Sequence, residues 1–510
     1  MSQGQSGGAG VGPLNRRTLL QCGVAAVGGA MTSRLLAQPF LNPRVFAPAP
    51  APVFDEELEF DLAARPRLYS LRPGAPTDCW YYYGSVRKGS PAALTPVPNS
   101  PLGPTFTLRP KQRVAINLYN GLPEDHVTHW HGMDVPANAD GHPMHAFPPG
   151  ATYRYEFDVR NRAGTYWYHP HPDMRTGFQV YKGLAGLMIV QDDEEQSLQL
   201  PRGPFDIPLV IQDATFDANN QYVYNPDAMS GFFGNSLLIN GMPAAPLSLA
   251  SRVYRFRLLN GCQSRILKLR FSDLTPLVVI GNDGGLIDQP RTYPYVILSP
   301  GERVELWVDL RAKPVGTQIM LQSLAFTGGG TGQGAAFDVV RLSVDRARTD
   351  PLQLPATLSS ITRYRLQDAI NAANPRSFPI SMVPPMTWVL NGGVFTMTGL
   401  AANEIVRADT LEVWQFSNPA GAMAIPHPIH LHGRQFQVLD RAVAPTRLAD
   451  WNTVKDGYVD AGWKDTFMIM PGETVRILVR HSLHTGMFVY HCHNLPHEDM
   501  GMMRNFRIDP

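Results

Sequence analysis

The chain has 510 residues, 44% hydrophobic and 17% charged. At roughly 100–200 residues per domain this suggests about three folded domains. A formal net charge of +1 without a long basic block leaves no electrostatic footprint for nucleic acid. Frequent proline (46) and glycine (45) are expected of many short strands joined by tight turns.

Residues 1–40 read as a leader. A Gly/Ser-rich start precedes Arg16 and Arg17, and a short apolar stretch follows over 19–31. That stretch is too short and weak to span a membrane stably. Paired arginines before it resemble a twin-arginine export signal, an address read by a receptor; a basic tail is the plainer reading. The signal implies export of a folded, metal-loaded protein to the periplasm or outside the cell, with cleavage near Ala37. Four cysteines are present. Cys22 lies in the leader, and Cys79 and Cys262 are either one disulfide or two buried thiols.

Alternating runs at 105–108, 113–118, 152–159 and 187–190 predict strands in a first unit over 52–192, with turns at Asn120-Gly121, Pro149-Gly150 and Ala163-Gly164. A second unit spans 205–345. Residues 253–258 alternate there, and 302–309 put Val304, Leu306 and Val308 on one face after Pro300-Gly301. No histidine occurs between His171 and His427, so this unit offers no imidazole and its expected role is spacing and packing. Residues 346–385 read as a Pro-rich, polar linker, and 360–373 is the best short helix candidate. A last unit over 386–510 holds alternating runs at 411–416 and 474–479. Its Pro471-Gly472-Glu473 turn repeats Pro300-Gly301-Glu302, as three related β-sandwich units would.

Ten of the fifteen histidines fall in four clusters: His129-Trp130-His131, His169-Pro170-His171, the 427–432 run holding His427, His430 and His432, and His491-Cys492-His493 with His497. Histidines two apart on a strand share a face. Two clusters lie in the first unit and two in the last, so a shared metal cluster belongs between the terminal units. Imidazole and thiolate with a long thioether bond describe an electron-transfer copper site, and His427, Cys492, His497 and Met502 fit it, with Met500 and Met503 as rival thioethers. The eight remaining histidines are too many for one ion and suit three. Four coppers can store the four electrons that reduce dioxygen to water. A structural zinc site needs only four ligands and leaves most of this set unused.

Together these clusters resemble the signature of multicopper oxidases over about residues 55–510. His129-Trp130-His131-Gly132 with Asp140-Gly141, His169-Pro170-His171, the run from His427 to Gly433, and the run from His491 to Met503 carry the likeness, joined by 257–262 and 462–466. Bacterial three-domain laccases, periplasmic cuprous oxidases and bilirubin oxidases are the similar groups. The resemblance implies an all-β fold of three cupredoxin-like Greek-key β-sandwich domains and four copper ions. Type 1 copper would use His427, Cys492, His497 and Met502. Type 2 would use His129 and His430. The type 3 pair would use His131, His169 and His493 on one ion, and His171, His432 and His491 on the other. Cys492 would carry electrons to His491 or His493, and His427 or His497 would present the exposed edge that receives them. Glu498 and Asp140 match proton-relay acids; the plainer reading is hydrogen bonding to a histidine ring. Expected partners are a small phenolic or metal-ion donor and O2, on a monomer with no membrane insertion. A methionine-rich insert, usual in cuprous oxidases, is absent from 346–385 apart from Met382, which leans toward phenols. The non-enzymatic alternative is copper storage or electron relay.

Overall fold

The computed structural model describes residues 57–330 and 332–510, so the expected export signal lies outside the described residues. Six sheets form three β-sandwich layers around three apolar cores. Phe60, Phe106, Trp130 and Tyr168 lie in the first core, Leu258, Val279, Leu306 and Leu321 in the second, and Phe378, Trp414, Phe416 and Tyr490 in the third. Each such side chain, fully buried, contributes roughly 1.5–3 kcal/mol. The α-helices among the described residues are single turns such as Thr176–Tyr181 and Leu495–Asp499, and none is long and apolar enough to cross a membrane.

The repetition signalled by the Pro-Gly-Glu turns is visible in the pairing. One sheet of each sandwich pairs its strands in parallel: Glu57–Tyr69 with Arg113–Asn120, Asp206–Ala214 with Val253–Asn260, and Arg376–Val383 with Leu411–Ser417. The opposing sheets do the same with Thr105–Leu108 and Gly186–Val190, Leu247–Ser251 and Phe337–Ala347, and Ile405–Arg407 and Met503–Asp509. A parallel pair cannot be closed by a hairpin. The chain therefore makes the same crossing in all three sandwiches.

Charged positions that alternation assigns to a solvent face prove to be buried where the first two sandwiches meet. Arg257 donates to Thr165 Oγ1 at 2.9 Å, to Glu305 Oε1 at 2.8 Å and to Asp206 at 2.7 and 2.8 Å. Arg255 donates to Glu305 at 2.9 Å and pairs with Glu195. Burial alone would raise the Glu305 carboxyl, but Arg255 and Arg257 pull it down to about 2. A depressed carboxylate stabilises the fold above its ordinary pKa, and that contribution is lost as pH falls toward 2.

Two expectations change and one open choice is settled. Residues 360–373 form no α-helix and hold only a 3-10 turn, Leu366–Asp368. Ala369 alone is buried in that stretch, so no apolar stripe repays helix nucleation. The linker ends early, because Arg376–Val383 within it is the first strand of the last sandwich. Cys79 and Cys262 are two separate buried thiols; burial pushes the Cys79 thiol up to about 12.

Candidate metal centre

Strand geometry sorts the clustered side chains. On Thr128–His131 the rings of His129 and His131 face one way, while Trp130 turns into the core against Tyr155, with ring centroids 5.2 Å apart. Antiparallel register sets His129 opposite His169, and His430 opposite His491. Along His427–Leu431 the alternation has a second consequence. His430 faces the shared cluster with His432, whereas His427 turns to the other side, toward Cys492, whose strand neighbour across the sheet is Ile429. One pair of strands therefore serves two sites on opposite faces.

Ring nitrogens gather in sets. His129, His131 and His430 form one group with donor atoms within 4.8 Å of one another. His131, His169 and His493 form a second, His171, His432 and His491 a third, and His427, Cys492 and His497 a fourth. All of these side chains are buried. Met502, fully buried, shares the core of Cys492. Its carbonyl accepts from the Cys492 amide at 3.0 Å, and its amide donates to His497 O at 2.9 Å.

The outward nitrogens are held by protein acceptors. His129 Nδ1 meets Asp140 O at 2.5 Å, His430 Nδ1 meets Asp465 O at 2.8 Å, and His169 Nδ1 meets Pro170 O at 2.8 Å. His432 Nδ1 meets Asp140 Oδ2 at 2.7 Å. His131 is turned the other way: its Nε2 lies 3.0 Å from Asp465 Oδ1. Gly141, at φ +86°, lets the Asp140 loop press on this strand; a Cβ there would stand 2.3 Å from Thr128 O.

The inward nitrogens then confront each other. His129 and His430 Nε2 are 3.3 Å apart, His171 and His491 Nε2 3.3 Å, His432 and His491 Nε2 3.1 Å, and His131 Nδ1 and His169 Nε2 3.4 Å. Burial holds His129, His131, His430 and His432 below their ordinary pKa, with His169 near 4 and His171 near 3. Where the outward nitrogen is spent on an acceptor, as in His129, His430, His432 and His169, the inward nitrogen is left with a lone pair, and a cation between such nitrogens resolves their confrontation. His493 has no hydrogen-bond partner at either nitrogen. Burial likewise pushes the Cys492 thiol far up, so a thiolate there needs a metal to ionise it. Imidazole, thiolate and thioether together fit copper.

The acids take separate places. Burial raises Asp140 well above the usual carboxylate range. Burial would also raise Glu498, but His491 and His171 hold it far below that range. Glu498 Oε2 stands 3.0 Å from His491 Nδ1, and Oε1 3.4 Å from His171 Nε2.

One expectation fails here. Neither His427 nor His497 has an exposed edge; both are 0% exposed. A turn closed by Asp227, whose Oδ1 accepts from the amides of Met229 and Ser230 at 3.0 and 2.8 Å, lays the Met229 carbonyl 3.2 Å from His497 Nε2. Trp388 Nε1 donates to the same carbonyl at 3.3 Å, and the indole packs on His427 with centroids 4.8 Å apart. Sequence reasoning missed Met229 because its turn comes from the middle sandwich, and Trp388 because its strand, Thr387–Leu390, carries no metal-ligating residue.

Two family models, each described as multicopper oxidase, match residues 81–195 and 362–510. A multicopper oxidase of Staphylococcus haemolyticus is 29% identical over 80% of this chain and 82% of its own length. A laccase of Bacillus stratosphericus is 29% identical, covering 85% of this chain and 91% of its own. The crystal structure of a variant of the McoA multicopper oxidase from Aquifex aeolicus superposes with a TM-score of 0.78 at 33% identity, covering 89% of this chain and 96% of that one.

Proposed function

Because the chain belongs to the multicopper oxidase family, we propose that it is a laccase-type oxidase, taking single electrons from small phenolic or related donors and passing four, with four protons, to O2 to give two waters. The observation that carries this reading is the meeting of eight buried imidazoles beside a separate His427–Cys492–His497 group. Four copper ions are proposed. His427, Cys492, His497 and Met502 would hold one (type 1), and His129 and His430 a second (type 2). His131, His169 and His493 would hold a third, and His171, His432 and His491 a fourth (the type 3 pair). Bound copper supplies one-electron redox chemistry and a place for O2 to be reduced.

The residues do the rest. Cys492 links the two sites through the main chain it shares with His491 and His493. Donors dock against the 227–231 turn and Trp388, which cover the two imidazoles. Glu498, ionised at rest, takes up and passes on protons at Oε2 beside His491, and Asp140 does so at Oδ2 beside His432; both carboxyls also fix ring orientation. The enzyme acts as an exported monomer in the periplasm or outside the cell.

A cuprous oxidase is the second reading. Met229 and Met382 pack against the core that holds Cys492 and Met502, and thioethers suit copper(I). Oxygen uptake by the copper-loaded protein separates the readings. Faster uptake with a phenol than with copper(I) supports the laccase reading, the reverse supports the cuprous oxidase, and no uptake with either leaves copper storage or relay. Met502→Leu, which removes the weak axial donor, raises the potential of the thiolate site; a lowered or unchanged potential in redox titration discards Met502 as the axial ligand.

A further inference from the structure

The middle sandwich, which brings no imidazole to the metal centre, reaches it through one arginine. Arg303 is 1% exposed, and its side-chain donors are spent on all three sandwiches. Nε donates to Thr165 O in the first at 2.9 Å. Nη1 donates to Gly301 O at 3.0 Å and Nη2 to Asp283 O at 2.8 Å, both in the middle one. The same two nitrogens grip the Asp465 carboxylate of the last sandwich at 2.7 and 2.6 Å. An arginine has five N–H donors in a fixed fork, and here each has an acceptor.

Asp465 in turn touches rings from two clusters. Its Oδ1 lies 3.0 Å from His131 Nε2, so that His131 presents Nδ1 to His169. Its main-chain carbonyl accepts from His430 Nδ1 at 2.8 Å. Thr466 Oγ1 fills the remaining gap, 3.2 Å from His131 Nε2 and 3.1 Å from His430 Nδ1. The chain leaves room for this at Gly132: a Cβ there would meet Asp465 Oδ2 at 2.5 Å and Arg303 Nη2 at 2.9 Å. A second buried cation, Lys464, next to Asp465 in the chain, pairs with Asp283 at 3.0 Å and Glu302 at 2.9 Å.

We propose that Arg303 and Asp465 form a positioning pair, through which the middle sandwich sets the orientation of His131 and His430 and fixes which nitrogen His131 offers to metal. The proposal rests on the copper reading above. Two properties of the pair make it sensitive to small changes. The Asp465 carboxylate accepts on both oxygens, from Arg303 on each and from His131 on one. An asparagine has one acceptor oxygen and one donor nitrogen, so whichever way it turns, a donor faces a donor at Arg303 or at His131. A lysine at 303 keeps the charge but replaces the planar fork with a point charge.

The test uses full-length, copper-loaded protein with Asp465→Asn and Arg303→Lys, read by copper affinity against a calibrated copper-binding dye and by electron paramagnetic resonance. Removal of such ligand-orienting partners costs about 10–100-fold in metal affinity. The expected result is a loss of that size confined to the histidine-only sites, with an altered resonance of the copper held by His129 and His430. The visible absorption of the Cys492 site stays at the parent's intensity and reports an intact last sandwich. Parent affinity and an unchanged resonance in Asp465→Asn overturn the proposal, and so does a loss spread equally over the thiolate site. If Arg303→Lys does not fold, Asp465→Asn decides alone, since it removes no volume and leaves the charge of the arginine in place. A parent chain that binds no copper at all refutes the copper reading instead.

Discussion

Cys492→Ser abolishes the visible absorption of the thiolate site and lowers donor-driven oxygen uptake on the order of a thousandfold, which is about 4 kcal/mol of activation free energy. Serine nearly matches the volume of cysteine, so the core around Tyr490 and Met502 remains packed and the effect is chemical. A buried hydroxyl is far harder to ionise than a thiol and gives no soft donor. His427 and His497, 3.5 and 3.8 Å from Sγ, would be left with a thioether alone. The Asn494 amide, which donates to Sγ at 3.4 Å, has an acceptor only if the new hydroxyl turns toward it. Stopped-flow reduction and copper counting check the result. The histidine-only sites retain their metal, and persistence of both absorption and turnover would show that electrons do not pass through this side chain.

Glu498→Gln produces the second large effect. The amide keeps the shape of the carboxyl but cannot carry a proton, and general acid catalysis of this kind contributes roughly 10²–10⁴-fold. Turnover falls by that range while anaerobic reduction of the thiolate site by donor proceeds at the parent rate, because Glu498 faces His491 and His171 rather than His427. A solvent isotope effect on turnover distinguishes proton delivery from ring orientation. Parent turnover in this variant would leave Glu498 with an orienting role only.

The residues that chemistry needs were the most legible part of the sequence. An imidazole two residues from another on a strand shares its face, so the pairs at 129/131, 169/171, 430/432 and 491/493 could be assigned to one shared metal cluster from their spacing. Most of the strands were readable for the same reason, since apolar alternation is local. What escaped was set by contacts between sandwiches. Arg255, Arg257, Arg303 and Glu305 alternate with apolar residues as a wetted face would, yet a neighbouring sandwich buries them. Strand Arg376–Val383 hides behind Pro379 and its polar flanks, and earns its place only by pairing with Leu411–Ser417. The cover over His497 comes from Met229, 268 residues away in sequence, and no periodicity reports on a contact of that range.

Strand Gly486–Cys492 lies in the middle of a five-stranded sheet, paired to His427–Leu431 on one side and Met503–Asp509 on the other. Central strands open last, in step with global unfolding. Loss of the redox centre and collapse of the last sandwich are then one event, so the working lifetime of the catalyst is set by the slowest opening of its sheet rather than by dissociation of an ion from a surface.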